Sequence, residues 1–502
     1  MNPFFNTSVI RNKKSVGLRR RLLRHVTRTF FNFEDSDARQ TGIAFDFIEQ
    51  LFWKNGVQYN TIDSAAPPSF AGSNGTFIDS NGYVVDADSN QWRYTHDPDS
   101  STDHPLLGIL IEPAKQNKIS YSEDFNSYGW TSSNASLVFD SDIVTPRGPN
   151  APLGAWKLQE DSATNFHFIS KVLPESVNGS DLNRIGISCF VKDDGSGRWI
   201  ALNSTLSLSG ANLIYFQPST GTFGTVENSG VNDYWAEPHT NGWWRIMWGP
   251  TTANSTSLSG TFWFYLDDNN GGGGSDLNYT GDGTSGIYLW GFQIEDFGPT
   301  SYIPTTGSLV TRTKDIIQWN IADSETAWWD NSQLTALIDV NLRYRHAGAQ
   351  AHWCLNEDPV SLSDYSGVFA AGVDKDTWDF NYYNEVGNSL TGSVASTKPP
   401  GSQWFKKFSI AARAQTNNFA ISVNNETPVK DTSGTMMAGA SQQYLTLGKF
   451  SSNTQTASNI DHYDASIVCE RFVLWPKAVG DSALALISDS ASFPTQDVIL
   501  TR

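Results

Sequence analysis

Thr76-Phe77-Ile78-Asp79-Ser80-Asn81-Gly82-Tyr83-Val84-Val85-Asp86 places two short apolar runs around a turn. Asn and Gly both tolerate φ > 0, so Asn81-Gly82 between such runs predicts a β-hairpin. The same pattern continues outward from residue 55. Runs of Val, Ile, Tyr, Phe and Trp are bounded by clusters of Gly, Asn, Asp and Ser, and each reads as a short strand. They include Ile185–Val191, Trp199–Asn203, Asn212–Gln217, Trp243–Trp248, Gly260–Leu266 and Gly286–Glu295. Turn signals recur about every ten residues, the spacing of a β-sandwich. Gly271–Gly274 reads as a loop within this unit, because strand patterns continue on both sides.

Near Pro299 the pattern changes. Residues 296–315 are rich in Gly, Pro and Thr and read as an exit strand or linker. A second β-rich stretch follows from Trp319. Its runs are Leu334–Tyr344, Tyr365–Gly372, Thr377–Tyr383, Lys406–Ala412, Phe419–Val423, Tyr444–Leu447 and the alternating Ala465–Leu474. After Trp475-Pro476, Gly480–Ile487 reads as a short terminal helix. Ile43–Trp53 is apolar-dense and is either a helix or a buried strand; its periodicity does not decide. The expected fold is all-β: two tandem β-sandwich domains, 43–315 and 316–502, preceded by a short, partly helical arm over 1–42. No fixed-period repeat is present.

Charge separates the arm from the rest. The chain has 502 residues and a net charge of −18. Residues 1–30 hold eight bases and no acid, so 26 bases stand against 52 acids elsewhere. The acidic body repels a phosphate backbone, so no nucleic-acid partner is expected for it. The arm interleaves its arginines with Leu18, Leu22, Leu23, Val26 and Phe30 at near-helical spacing, which predicts an amphipathic helix over about 17–31. This composition suits a docking peg: Arg19, Arg20, Arg21 and Arg24 to meet carboxylates, and Leu18, Leu22 and Phe30 to bury. A disordered DNA-contacting tail is the competing reading. An organelle transit peptide would also be Arg-rich and acid-poor, but would carry more Ser. The arm lacks the apolar core of a signal peptide, and the chain has no apolar run of 18 residues, so no membrane insertion is expected.

Three blocks carry a resemblance. The first is Gly108-Ile109-Leu110-Ile111-Glu112-Pro113-Ala114-Lys115-Gln116-Asn117, followed by Tyr121-Ser122-Glu123-Asp124-Phe125 and Trp130. The second is Thr240-Asn241-Gly242-Trp243-Trp244-Arg245. The third is Gly286–Glu295, then Pro299-Thr300-Ser301-Tyr302-Ile303-Pro304-Thr305-Thr306-Gly307-Ser308 and Val310-Thr311-Arg312. Together they resemble the GLLIEPARTN…YSEDF…W and GAQLE…TSYIPTTGS…VTR signatures of bacteriophage tail-fibre, tail-spike and minor virion proteins, with Lys115-Gln116 in place of Arg-Thr. The resemblance spans about 55–315, and its middle region is similar to a carbohydrate-binding-module jelly roll. Residues 318–502 resemble concanavalin-like or laminin-G-like sandwiches through the closing Val468–Trp475 strand and the short helix after it. The resemblance implies a virion location, other virion proteins as partners and no enzymatic activity, and it fixes no catalytic residue. Three function classes follow: a tail-fibre or tail-spike-like appendage contacting host surface glycans, a head decoration protein or head fibre, and a glycan-degrading tail enzyme. A homo-oligomer is expected, with a trimer the best guess, since appendages gain avidity by association.

The remaining motifs weigh less. A sugar face stacks on Trp or Tyr while neighbouring amides and carboxylates read its hydroxyls. Trp378, Asp379, Asn381, Tyr382 and Tyr383 form such a group, with core or subunit packing as the alternative. Trp243, Trp244 and Trp290 are assigned to core. Asp86-x-Asp88-x-Asn90 opens like a calcium loop but lacks its Gly and Glu, and Asp267-Asp268-Asn269-Asn270 is a second oxygen-rich loop. Structural calcium at either competes with an ordinary solvated turn; no other cofactor or metal is expected. His346 and His352 could approach only if the chain turned back between them. Gly281-x-Gly283-x-x-Gly286 lacks the strand before it and helix after it that dinucleotide binding needs. Cys189, Cys354 and Cys469 are far apart and read as buried thiols. The Asn-x-Ser/Thr sites, Asn74 and Asn134 among them, reflect composition. Nothing singles out the paired carboxylates of a glycosidase.

Overall fold

The computed structural model describes residues 42–54, 57–59, 69–99, 101–126, 129–172, 185–205, 213–227, 231–250, 260–269, 277–296, 299–320, 332–344, 350–356, 365–372, 378–386, 389–395, 407–436, 444–448 and 465–489. The regular structure of the described chain is almost all strand, with one short α-helix at Asp481–Ile487. The all-β expectation holds. Residues 1–41 lie outside the described set, and with them Leu18, Arg19, Arg20, Arg21, Leu22, Arg24 and Phe30 of the expected anchor.

The outer sandwich is organised by its closing strand, Ser466–Trp475. Along one side it pairs with Gln333–Tyr344. Along the other it pairs first with Leu106–Ile111, then with Ile43–Asp46. It sits inside a ten-stranded sheet that continues through Lys407–Gln415, Phe419–Val423 and Val429–Asp431. The facing seven-stranded sheet runs Ser389–Ala395, Trp378–Val386, Tyr365–Gly372, Gln350–Asn356, Tyr444–Leu447, Ile316–Asn320, Ser69–Ala71. Apolar side chains from both sheets interdigitate, among them Ile43, Phe45, Ile111, Trp319, Ile338, Trp353 and Phe472. The strict alternation expected for the closing strand breaks once. Ile467 and Cys469 face this core, as do Phe472 and Leu474. The register shift where Cys469 and Arg471 oppose Val340 and Asp339 supplies the extra residue. Val473 and Trp475 thereby turn outward to meet Ala483, Leu484 and Ile487 of the helix.

The strand pairings correct the domain boundaries. Strands at 43–59, 69–71 and 94–111 belong to the same sandwich as residues 316–475. The expected unit 43–315 is therefore not one domain. The second sandwich is an insertion between Ile111 and Ile316. Pairing between strands hundreds of residues apart leaves no local signal, so the sequence does not mark the boundary near 112 and groups 43–111 with the insert.

The inserted sandwich has two sheets. One is six-stranded: Ala135–Asp140, Ala155–Glu160, Gly286–Asp296, Ile185–Asp193, Trp243–Pro250, Val231–Pro238. The other is seven-stranded: Trp130–Ser133, Thr164–Val172, Thr261–Asp267, Trp199–Ser204, Leu213–Gln217, Thr222–Glu227, with Asn278–Thr280 beside the start of Thr164–Val172. Ile187, Val191, Ile246, Leu289 and Ile294 of the first pack on Ile169, Ile200, Phe264 and Leu266 of the second. Gly291 makes a bulge at φ 63°, where a Cβ would come within 2.8 Å of the Phe190 ring. Leu289 before the bulge and Phe292 after it both face inward as a result.

The hairpin Thr76–Ile78/Val84–Asp86 forms as its sequence predicts. Of its turn residues only Gly82 takes positive φ, at 78°. The hairpin lies on the outward face of the six-stranded sheet. There Val84 packs with Phe190, Trp243, Trp290 and Tyr302, and Thr76 Oγ1 donates to the Tyr302 carbonyl at 2.6 Å. This face is therefore clamped. Trp243 and Trp290 are core, as expected, and Trp244 packs on the inner face.

A buried charge knot joins the two sandwiches. Glu112, on the way into the insert, pairs with Arg93 Nη1 at 2.7 Å and with Arg312. Arg93 also pairs with Asp315, on the way out. Asp315 accepts from the Glu112 amide at 2.8 Å, and Ser301 donates its amide to Glu112 at 2.7 Å. Burial pushes the Glu112 carboxyl up, but the adjacent guanidinium groups of Arg312 and Arg93 outweigh it and hold the pKa at about 2. Around the knot, Lys115–Asn117 pairs with Val310–Arg312, and Asn117 Nδ2 donates to the Ile303 carbonyl at 2.9 Å. Ser122 and Tyr302 share a hydrogen bond at 2.6 Å. Glu295 accepts from the Thr300 amide and hydroxyl, both at 2.6 Å. The first and third sequence blocks thus build the stem of the insert, while Trp243 of the second packs beneath the hairpin.

Candidate aromatic binding face

With one outward face of the insert clamped, the other sheet decides what this sandwich can present. On Thr164–Val172, Thr261–Asp267 and Trp199–Ser204, the residues Ile169, Phe264, Leu266, Ile200 and Leu202 face the core. Successive strand residues alternate in direction. The outward positions are therefore Phe166, Phe168 and Ser170, then Trp263 and Tyr265, then Trp199, Ala201 and Asn203. Register aligns them across the sheet. Phe168 lies opposite Tyr265, which lies opposite Ala201. Ser170 lies opposite Trp263, which lies opposite Asn203.

The result is a shallow aromatic platform with a polar margin. Phe166, Phe168, Trp199, Trp263 and Tyr265 are all half-buried. The Phe168 and Tyr265 rings sit 5.0 Å apart at 51°, and Phe166 meets Tyr265 edge-on at 6.3 Å. Ala201, Leu213, Tyr215 and Leu277 form the floor on which Phe166, Trp199 and Tyr265 rest. Asn203 Oδ1 is buried beneath the platform and has no hydrogen-bond partner among the described residues. Ser170 Oγ shares a hydrogen bond with Thr131 Oγ1 at 2.9 Å. Rigid rings give contact area at low entropic cost, and hydroxyl and amide groups beside them can read polar substituents. The same alternation puts Asp267 on this side, opposite Trp199, where it is fully buried beside the platform.

The group expected from sequence fares differently. Tyr382 is fully buried, 6.3 Å from the Trp353 ring and 6.0 Å from that of Phe419. It belongs to the core of the outer sandwich and offers no ring face to a glycan. Phe380 is buried with it, and Asn381 is 7% exposed. A strand inside a sandwich turns alternate residues into the core, and Tyr382 is one of them. Trp378, Asp379 and Tyr383 lie on the same strand, Trp378–Val386, but their side chains are outside the described set. The platform residues were present in the predicted runs Trp199–Asn203 and Gly260–Leu266. The overlooked signal was aromatic residues on both faces of one strand, Phe262 and Phe264 inward, Trp263 and Tyr265 outward.

Other candidates resolve as structure. Asp86 is bound by Arg147 at 2.8 and 3.0 Å rather than turned into a calcium loop. Asp267 is buried and accepts from the Asp268 amide at 2.9 Å; Asn270 is outside the described residues. Among the described residues no three His, Cys, Asp or Glu side chains form a metal-binding group. His352 is fully buried against Phe380, and His346 is outside the described set. Gly286 opens the strand Gly286–Asp296, so the three spaced glycines make a turn into a strand. All three cysteines are buried thiols.

No protein-family model matches this chain, and no curated protein matches it. Among solved structures, the CBM40 module of a Ruminococcus gnavus IT-sialidase bound to α2,3-sialyllactose is similar to 34% of this chain over 91% of its own, with 11% identity and a TM-score of 0.25. Domain 4 of an extracellular arabinanase from Geobacillus stearothermophilus, in complex with arabinotriose, is similar over 38% of this chain and 82% of its own, at 11% identity and TM-score 0.24. The CBM22-1 xylan-binding domain from Paenibacillus barcinonensis is similar over 40% and 97%, at 13% identity and TM-score 0.20.

Proposed function

We propose that the protein is a non-enzymatic phage virion protein, a tail-fibre or tail-spike-like appendage that attaches to the particle through its basic N-terminal arm and contacts host surface glycans through the inserted sandwich. The observation that carries the glycan reading is the platform of Phe166, Phe168, Trp199, Trp263 and Tyr265, half-buried on a sheet face that no described element clamps and bordered by Asn203 and Ser170. A sugar ring lays its C–H face on such rings, and the amide and hydroxyl take its hydroxyl groups. The virion reading is supported by the three sequence blocks. In this chain the first and third of them build the stem that sets the insert on the outer sandwich. The acidic body suits a soluble, outward-facing surface. The test is a glycan array probed with the full chain, with the same glycans checked for released reducing ends. Binding without turnover, lost on Trp263→Ala, is the expected result. Binding that survives Trp263→Ala and Tyr265→Ala together would move the site elsewhere, and release of reducing sugar would make the protein an enzyme.

A further inference from the structure

A cavity of about 60 Å³ lies where the hairpin Thr76–Asp86, the clamped sheet and the end of strand Gln333–Tyr344 meet. It has room for an ion or a few waters, and it is too small for a sugar ring. Its charged lining is Glu112, Glu237, His239, Arg245 and Arg343. Most of that charge is already matched. Glu112 is held by Arg93 and Arg312. Glu237 pairs with Arg343 at 2.8 Å.

Arg245 makes no direct ion pair among the described residues, although Glu237, Glu295 and Glu112 lie near enough to favour its charge. It is 7% exposed, and Nη2 donates to two neutral oxygens, Ser188 Oγ at 3.0 Å and the Thr300 carbonyl at 2.7 Å. Among the described residues its Nε is buried with no hydrogen-bond partner. His239, 3% exposed, lines the same cavity. Its Nε2 lies 3.4 Å from Glu237, outside hydrogen-bond geometry, and its Nδ1 has no partner. A buried guanidinium whose hydrogen bonds all go to neutral oxygens is costly, and so are buried ring nitrogens without acceptors or donors. Both residues line the one small space.

We propose that this cavity is a binding site for one small oxyanion, with Arg245 as its principal cation and His239 as a second donor. Arginine's fork favours oxyanions over halides, because two N–H groups meet two oxygens. The oxyanion is either a free ion or the carboxylate of an acidic sugar whose ring stays outside. Occupied, it would tie the clamped sheet to the hairpin and to Arg343 of the outer sandwich, at the junction the insert depends on.

The test uses the full chain at constant ionic strength, set with sodium chloride. Sodium sulfate and sodium glucuronate are titrated separately while the unfolding temperature is followed. A saturable rise with sulfate alone marks a free ion, and one with glucuronate identifies a sugar-borne carboxylate. Arg245→Met is expected to weaken the apparent affinity about tenfold or more. Equal shifts in wild type and variant, or no saturable shift with either probe, overturn the site. Should Arg245→Met not fold, crystals of the wild-type chain soaked in selenate decide the matter. An anomalous peak within about 3.5 Å of Arg245 supports the site, and a cavity without one refutes it.

Discussion

Glu112 shows how much one side chain carries in this molecule. It is buried between two arginines and accepts from the Ser301 amide, so its charge is compensated only while both partners stay in place. Replacing such a charge leaves guanidinium groups buried and unmatched, at a cost of about 3–5 kcal/mol. Glu112→Gln is expected to lose that much in denaturant unfolding, while a change at exposed Asp124-Phe125-Asn126 turn position Asn126 should be near neutral. His352 makes the opposite kind of demand. Burial lowers its pKa to about 3, and neither ring nitrogen has a partner among the described residues. An imidazole whose pKa falls on folding stabilises the fold above its unfolded pKa of 6.5, and that contribution is lost as pH drops towards 3. Stability should therefore fall by about 1.4 kcal/mol per pH unit across that window from this group alone. His352→Leu, measured by urea unfolding at pH 7 and pH 5, should lose about 2 kcal/mol less between the two, since roughly 1.5 pH units of that window lie in the interval. Neither role was legible in the sequence. A lone histidine and a glutamate in a conspicuous motif give no sign of which charges the fold will bring beside them.

At the scale of elements, composition and turn chemistry were informative. The hairpin at 76–86 forms in register, and the predicted runs at 185–191, 243–248 and 286–295 are strands. Periodicity failed where bulges intervene. Glu470 shifts the closing strand by one residue, and Gly291 does the same to Gly286–Asp296, so a simple odd–even reading assigns half of each strand to the wrong face. The platform rests on uninterrupted alternation along Thr164–Val172, Thr261–Asp267 and Trp199–Ser204. Trp263→Ala or Tyr265→Ala should reduce glycan retention about tenfold or more, because a few aromatic anchors carry most binding energy. Their rings are half-buried, so the loss in stability should stay near 1–2 kcal/mol. Affinity electrophoresis on the array's best ligand, paired with thermal unfolding, separates the two effects. Equal loss of retention and fold would show that these rings pack rather than bind. Tyr382→Phe, in the core of the outer sandwich, should leave retention unchanged.

At the scale of the whole molecule, the two sandwiches are nested rather than tandem. The count of sandwiches was legible, since strand runs and turns recur throughout. Their connectivity was not, because Ile43–Asp46 and Leu106–Ile111 find their partner at Ser466–Trp475, across the full length of the insert. The ends of the insert meet at the knot, where the Asp315 amide donates to the Glu112 carbonyl at 2.9 Å. An insertion with adjoining ends disturbs its host little, and here the shared knot also fixes how it is set. The nested arrangement has one direct test: expression of residues 316–502 alone, followed by circular dichroism and thermal unfolding. That fragment lacks the strands at 43–59, 69–71 and 94–111, and with them one flank of Ser466–Trp475. The expected result is no cooperative unfolding transition, restored when residues 42–112 are supplied in the same chain. A fragment that folds by itself, with a transition matching that of the full protein, would contradict the nested fold and return the tandem one.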